Sequence, residues 1–336
     1  TNDFPIGTAI KLMGDGYEYN LETNGNEEYK TSVRDGKYNM VLSAWGYTSE
    51  ILEEITVQTG QNNSYKITLE NGYSDQFESD LKWTVNSTPN MPGAWIRAIP
   101  RQTEYLNGEI ANPGTDAEDF GQWAYVTANG SPGAGCADVD NGITKLISPL
   151  MDLTSYQKPA LNYDVWFYNS GGSVQINDTL IVKLKDGEKE VIVDKIYGTT
   201  NGWLKVRNLD IGSFIPVSNQ MNLIVEASDQ QGNLGHIVEA GFDHFFITEQ
   251  TSSVSDPDIN LQSATVYPNP ATDMLYIRFG ENPDQPLKYT ITNLLGKQIK
   301  SGELSFHSSS LDIGTLGSGF YILQLDGHHA IKFLKH

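Results

Sequence analysis

The sequence predicts an all-β protein built from three β-sandwich modules. Polar and apolar residues alternate with a period of two along most of the chain, and no long segment shows the 3.6-residue period of an amphipathic helix. Since one domain usually has roughly 100 to 200 residues, a chain of 336 is expected to form two or three folded units. Its 32 glycines, 17 tyrosines and 12 phenylalanines are typical of strands joined by frequent turns.

The charge and the apolar pattern exclude two kinds of partner. The chain has 22 basic and 42 acidic residues, a net charge of −20, and phosphate backbones and anionic lipids repel such a protein. We therefore expect no nucleic acid partner. The longest apolar runs, such as Trp123 to Val126, have four residues. A helix that spans a membrane needs roughly 20, so no transmembrane segment is predicted. The single cysteine, Cys136, excludes an internal disulfide.

The first predicted module, residues 1–71, is a small β-sandwich. Asp35-Gly36 supplies a turn that tolerates positive φ, and Tyr38, Met40 and Leu42 follow on one face of a strand. Further strands are expected at residues 9–13, 18–22, 54–59 and 64–69. The DGKY and GY motifs of this segment resemble the carboxypeptidase regulatory-like domain, a sandwich of the transthyretin or immunoglobulin (Ig-like) type. That resemblance implies a rigid spacer rather than a reactive site.

The second predicted module, residues 74–250, contains most of the acidic residues. Its motifs are FESD at 77–80, NPGTD at 112–116, ADVDNGITKLISP at 137–149, LNYDVWFYN at 161–169 and GHIVEAGFDHFFIT at 235–248. In this order they resemble the jelly-roll domains of the cleaved-adhesin and meprin-type families, which are appended to secreted bacterial peptidases and surface proteins. The resemblance implies a jelly roll that binds an extracellular protein or a glycan.

The segment from Asp138 to Gly142 predicts a calcium site. The carboxylates of Asp138 and Asp140 project to the same side of an extended segment, and Gly142 lets the chain turn so that backbone carbonyls can join them. Calcium is favoured because it accepts six to eight oxygen ligands in irregular geometry, and because the surrounding sequence has no His or Cys cluster. An EF-hand is excluded, since position twelve of its loop would be Pro149 instead of Glu.

Other acids are candidate calcium ligands through the family resemblance. In the jelly rolls that the segment resembles, a carboxylate near the first strand meets one on the last strand, which implies Glu78 or Asp80 near Asp243. Asp116 and Asp178 are further candidates. The alternative interpretation is that all of these are solvated loop acids.

Two more patterns in this module have competing interpretations. His236 and Glu239 match the HxxE pair of zinc carboxypeptidases, but the alternation around them places the two side chains on opposite faces of a strand, so we predict no zinc site. A mixed aromatic and polar face is found in sugar-binding sites, and more often on a face covered by a neighbouring strand or loop. Its residues are Asn162, Asp164, Trp166 and Tyr168.

The end of the chain resembles a secretion signal. Residues 251–262, TSSVSDPDINLQ, have no periodicity and predict a linker. The motifs YPNPATD, NLLGKQI, LDIGTLGSGFYILQL and KFLK then follow within residues 263–336, and they closely resemble the type A C-terminal sorting domain of the type IX secretion system, an Ig-like sandwich. This implies a protein secreted to the outer cell surface. It also implies the secretion translocon and the sorting and attachment machinery as partners.

No catalytic residues are predicted in this chain. The strings GxSxG, GxxxxGK, HExxH and GxGxxG do not occur, which removes sequence support for nucleotide binding and serine-hydrolase chemistry. We expect the non-catalytic C-terminal region of a secreted or cell-surface protein. The alternative is the accessory tail of a secreted zinc carboxypeptidase or subtilisin-like peptidase whose catalytic domain precedes Thr1, where no signal peptide is seen.

Overall fold

A computed structural model describes the chain except for residues 1–6, 24–28, 128, 131–132, 172–177, 201, 230–235, 251–263, 280–285, 294–295, 305–309 and 327–329. The described elements are β-strands and two three-residue 3-10 turns, Leu106–Gly108 and Ile211–Ser213, so the predicted all-β class is confirmed. Neither turn is long enough to cross a membrane, and the described residues contain no other helix. The predicted linker at 251–262 lies outside the described residues.

The first module contains one antiparallel sheet in the order β2-β1-β3-β4. Its strands are β1 (Ala9–Gly14), β2 (Tyr17–Glu22), β3 (Gly36–Ser43) and β4 (Glu50–Val57). The tight hairpin turn is at Asp15-Gly16, where both φ angles are positive, and the Asp15 carboxylate accepts the amide proton of Lys37. The strand predicted at 64–69 is wrong, because these residues do not pair with the sheet. Ile67 and Leu69 instead pack against its apolar face.

Two antiparallel sheets form the second module. The strands are β5 (Tyr73–Asp75), β6 (Thr84–Ser87), β7 (Ile96–Ala98), β8 (Thr103–Glu104), β9 (Ile110–Asn112), β10 (Ala124–Val126), β11 (Gly142–Ile147), β12 (Pro159–Gly171), β13 (Thr179–Asp186), β14 (Lys189–Tyr197), β15 (Leu204–Asp210), β16 (Met221–Asp229) and β17 (His236–Glu249). One sheet has the order β15-β12-β17-β10-β7, with β5 also paired to β17, and the other has the order β14-β13-β16-β11-β6. Strands β8 and β9 form a separate hairpin.

The core of this module lies between the two sheets, as the alternation predicts. Leu161, Tyr163, Val165 and Phe167 of β12 are fully buried on the inner face. They pack with alternate residues of the opposite sheet, including Leu180, Val182, Leu184, Leu223 and Val225. The other face of β12 is the outer face of its sheet, and the candidate site is built there.

The third module is a second, smaller sandwich. Its strands are β18 (Ala264–Tyr267), β19 (Met274–Phe279), β20 (Leu287–Asn293), β21 (Gln298–Leu304), β22 (Ser310–Asp312), β23 (Gly319–Leu325) and β24 (Ile331–Lys335). They form the sheets β18-β19-β22 and β21-β20-β23-β24, which share one core. Leu275, Ile291, Leu323 and Phe333 are fully buried there.

Side chains also join the first sheet to the jelly roll. The Trp45 indole donates a hydrogen bond to the carbonyl of Leu150 at 2.7 Å and stacks on Phe245 with ring centroids 5.9 Å apart. Lys11 of β1 is almost completely buried, and its Nζ lies 3.0 Å from Glu78 Oε2. The first module therefore has a direct contact with Glu78, which lies beside the candidate site.

Candidate cation site

An acidic loop, residues 113–121, crosses the outer face of the sheet that contains β12 and β17. Hydrogen bonds attach it to the sheet. The Ala117 amide donates to Asp243 Oδ2 at 2.9 Å, and the Trp203 indole donates to the carbonyl of Thr115 at 3.1 Å. The loop and the β8-β9 hairpin together cover the part of β12 around Trp166, whose indole donates to the carbonyl of Ala111 at 2.7 Å.

Three carboxylates meet where the acidic loop contacts β17. Asp116, Asp119 and Asp243 each place an oxygen within 4.8 Å of the others. Asp243 is fully buried, and the two loop residues are partly buried. Both oxygens of Asp119 and the Oδ2 of Asp116 are inaccessible to solvent and have no hydrogen-bond donor. Buried polar oxygens normally have partners, so this arrangement requires an explanation.

A bulge in β17 positions Asp243. Asp164 pairs with Asp243 and Asn162 pairs with Phe246, so two residues of β17 lie opposite a single residue of β12. His244, one of the two, has a φ of +48°. Its amide donates to Asp243 Oδ1 at 2.8 Å, which fixes the carboxylate toward the acidic loop.

The electrostatics of the cluster disfavour three free anions. Burial raises the pKa of Asp119 to about 8, and the charges of Asp116 and Glu78 add to the effect. Burial also raises the pKa of Asp116 to about 6, with a contribution from Glu78. For Asp243, burial and the charge of Asp119 raise the pKa well above its ordinary value. Among the described residues, no Lys or Arg forms an ion pair with these three acids, so a cation would relieve both the repulsion and the missing hydrogen bonds.

The chemistry of the donors fits calcium. All three side chains offer carboxylate oxygens, which hard cations prefer, and the loop supplies backbone carbonyls for an irregular coordination shell. Asp116 and Asp243 belong to the ligand set that the sequence predicts. Asp119 was missed, because an acid in the run Ala117 to Phe120 follows no motif. Its separation from Asp116 by three residues, in a Gly- and Pro-containing loop, is the one signal that could have found it.

Glu78 approaches the cluster, and Asp80 does not. Glu78 Oε1 accepts the amide protons of Gln122 and Trp123 at 2.6 and 2.8 Å, and its Oε2 pairs with Lys11. The Glu78 carboxylate thus fixes the end of the acidic loop and is already compensated by a protein cation. Asp80 pairs with Lys82 on the surface.

The other predicted ligands lie in a different place. Asp138 is buried, and its Oδ2 accepts the amide proton of Val238 at 3.3 Å. Asp140 is partly buried beside it, and Asp178 lies next to His236. Of the predicted acids, Asp116 and Asp243 therefore lie in one cluster and Asp178 in another. The fold also brings one histidine, His236, to Asp178.

The aromatic face of β12 is covered. Asn162, Asp164, Trp166 and Tyr168 are 2%, 0%, 8% and 2% exposed. The hydroxyl of Tyr168 donates to Glu109 at 2.6 Å, and Asp164 Oδ1 lies 2.5 Å from Arg207 Nη1. Burial would raise the pKa of Asp164, but contacts with His244 and Arg207 outweigh it and hold the pKa below its ordinary value. An open sugar-binding face is thus corrected to the alternative interpretation, a face beneath a hairpin and a loop.

His236 and Glu239 do not converge on one point. Strand β17 pairs residue for residue with β12 from His236 to Asp243, so side chains three positions apart lie on opposite faces. Glu239 is buried on the outer face, where the Thr103 hydroxyl lies 3.0 and 3.1 Å from its two oxygens. His236 contacts Asp178 on the other side.

Comparisons with solved structures show low similarity. Carbohydrate-binding modules from the beta-sandwich super family share 14% identity, with 73% of this chain and 86% of that chain covered and a TM-score of 0.29. A β-1,2-glucanase from Parabacteroides distasonis shares 8% identity over 79% of this chain and 38% of its own, with a TM-score of 0.26. TM-scores this low carry no information on ligand or activity. No curated protein matches the chain.

A family comparison identifies the end of the chain. Residues 265–335 match the family described as the secretion system C-terminal sorting domain. These residues include the YPNP motif and the two sheets of the third module, so the predicted sorting domain is confirmed. A domain of this kind marks proteins exported by the type IX secretion system, and this protein is accordingly secreted to the cell surface or the extracellular space.

Proposed function

We propose that residues 74–250 are a non-catalytic binding module, stabilised by calcium, which the protein presents outside the cell to an extracellular protein or glycan. The observation that carries the proposal is the pair of orphaned oxygens on Asp119, held beside Asp116 and Asp243. Export supports it, because extracellular modules bind calcium with dissociation constants of roughly 0.1 to 1 mM, which suits the free calcium outside cells.

Calcium would act by fixing the acidic loop to the sheet. Two of the three carboxylates belong to the loop and the third to β17, so a shared ion links the two elements directly. The carbonyl of Thr115 in the loop accepts the indole proton of Trp203, and the Trp203 ring contacts Trp166, so the position of the loop affects the surface that a ligand meets. We therefore expect ligand binding to require calcium even though no ligand atom need contact the ion.

The stability part of the proposal is tested by thermal unfolding of the full chain. At a calcium concentration about 100 times the dissociation constant, binding to the folded state alone stabilises by about 2.7 kcal/mol. For a module of this size that corresponds to an increase of about 5 to 10 °C in Tm over the value in EDTA. The increase should disappear in Asp119→Asn and persist in Glu188→Gln, a matched change in an exposed turn. If the Tm is the same in calcium and in EDTA, the proposed calcium site is wrong.

The binding part is tested with the same proteins on a glycan array and on immobilised extracellular matrix proteins. Binding should occur in calcium, be lost in EDTA and be reduced in Asp119→Asn but not in Glu188→Gln. If the chain binds neither a glycan on the array nor a matrix protein, the proposal of a binding module is wrong. Hydrolysis of peptide or glycan substrates that is abolished by Glu239→Gln would show catalysis instead.

A further inference from the structure

A second cluster of metal-binding side chains lies where the strands of the two sheets end. Asp229 is the last residue of β16, His236 is the first residue of β17, and Asp178 immediately precedes β13. Pairing of Gly142 with Asp229 also brings the segment from Asp138 to Asn141 to this end. One ligand atom from each of Asp178, Asp229 and His236 lies within 4.8 Å of the others.

All three side chains are buried, with exposures of 3%, 3% and 2% for Asp178, Asp229 and His236. Asp178 Oδ2 is 3.2 Å from His236 Nδ1. Asp229 Oδ2 accepts the amide proton of Asn141 at 3.1 Å, whereas its Oδ1 is inaccessible to solvent and has no hydrogen-bond donor. Leaving such an oxygen unpaired in the interior costs free energy that a bound cation would recover.

The charges around the cluster also call for a cation. Asp138, which is 2% exposed, has an Oδ1 without a hydrogen-bond donor, and Asp140 is partly buried beside it. In the described part of the chain, neither Asp138 nor Asp229 forms an ion pair with Lys or Arg.

We propose that Asp178, Asp229 and His236 bind a divalent transition-metal ion, with Zn²⁺ as the probe. The imidazole nitrogen distinguishes this cluster from the oxygen-only set of Asp116, Asp119 and Asp243, since imidazole suits zinc and its neighbours in the first transition row better than calcium. Glu239 takes no part, because it lies on the opposite face of β17. The site is independent of the calcium cluster and of the proposed function.

The test is calorimetric titration of the tag-free full chain with Zn²⁺ in excess Ca²⁺. One Zn²⁺ should bind per chain, and His236→Gln and Asp229→Asn should each weaken it by at least about tenfold. Asp119→Asn should bind Zn²⁺ like the native chain, because it alters only the calcium cluster. His244→Gln, a change to a partly exposed histidine on the same strand, should also leave binding intact. Unaltered binding in His236→Gln would overturn the proposal, as would the absence of any Zn²⁺ binding.

A second measurement applies if the variants fail to fold. In the native chain labelled with ¹⁵N-histidine, Zn²⁺ should shift the signals of a single imidazole whose N–H exchanges slowly with solvent. Equal shifts of several exposed imidazoles would assign the binding to surface histidines and overturn the proposal.

Discussion

At the scale of single residues, the jelly roll is unusual for the carboxylates in its interior. Asp75 and Glu239 are buried apart from the two clusters, and burial raises their pKa values to about 7 and about 8. Hydrogen bonds compensate each only in part: the Phe77 amide and the Trp83 indole donate to Asp75, and the Thr103 hydroxyl is the donor to Glu239 among the described residues. Such groups make stability depend on pH even when no cation is bound.

The change Glu239→Gln tests this dependence. The pKa of Glu239 is higher in the folded than in the unfolded state, so its stabilising contribution is complete below about pH 4 and is lost as pH rises through about 8. In EDTA, the free energy of unfolding by urea should therefore fall between pH 5 and pH 8. In Glu239→Gln the fall should be smaller by on the order of 3 kcal/mol.

Glu188→Gln is the control for that experiment, because its side chain lies in an exposed turn. This change should leave the pH dependence of the free energy of unfolding as it is in the native chain. Equal slopes for Glu239→Gln and the native chain would show that Glu239 ionises in the folded state much as it does in the unfolded chain.

A second prediction at this scale concerns Gly121, whose φ is +131°. A Cβ at this position would collide with the Glu78 carboxylate, which accepts the amide protons of Gln122 and Trp123. Gly121→Ala should destabilise by about 1 to 3 kcal/mol through backbone strain and the displaced carboxylate. It should also weaken calcium binding, because the acidic loop loses its anchor. Gly133→Ala, with open space around its Cβ, is the matched control for both the unfolding and the calcium titration.

At the scale of elements, alternation predicted much of the fold but not the irregularities that build the sites. The inner face of β12 and the strand at His236 follow from a period of two, because burial on one face dictates the pattern. The bulge at His244 breaks that period and directs Asp243 to the loop, and it depends on pairing with a distant strand. The sequence also could not show that a hairpin covers Trp166, since both interpretations require the same alternation.

The contact between the first sheet and the jelly roll gives a prediction for Trp45→Ala. The change removes the hydrogen bond to Leu150 and the ring contacts with Phe245 and Trp83, and a loss of about 2 to 4 kcal/mol is expected. Because those contacts join two sheets, hydrogen exchange should increase across β3 and β4 more than across β12. Tyr65→Ala, at an exposed residue of the first module, should change neither. If protection from hydrogen exchange falls equally in both sheets, the Trp45 contacts do not act locally between the first sheet and the second module.

At the scale of the whole molecule, the features that the sequence predicts and those that it does not predict have different physical origins. The sorting domain is encoded in closely spaced local motifs, so residues 265–335 are recognisable without a structure. Each cluster is assembled from segments that are distant in the chain, as Asp116 and Asp243 are in one and Asp178 and Asp229 in the other, and only the fold shows which acids meet. Asp119 and Asp229 were missed for that reason, and Asp116 and Asp178, which are both predicted as candidate ligands, lie in different clusters.

The role of the tail gives the last prediction. A reporter that enters the periplasm by its own signal peptide should reach the cell surface or the medium when residues 265–335 are fused to its C-terminus, in a host with the type IX system. Deleting the same residues from the native chain should leave it in the periplasm, because the remaining modules lack the sorting motifs. A reporter fused to residues 74–250 is the control and should stay periplasmic. Surface delivery of the truncated chain would show that the export information lies elsewhere, and the extracellular role proposed for the jelly roll would then need a different route out of the cell.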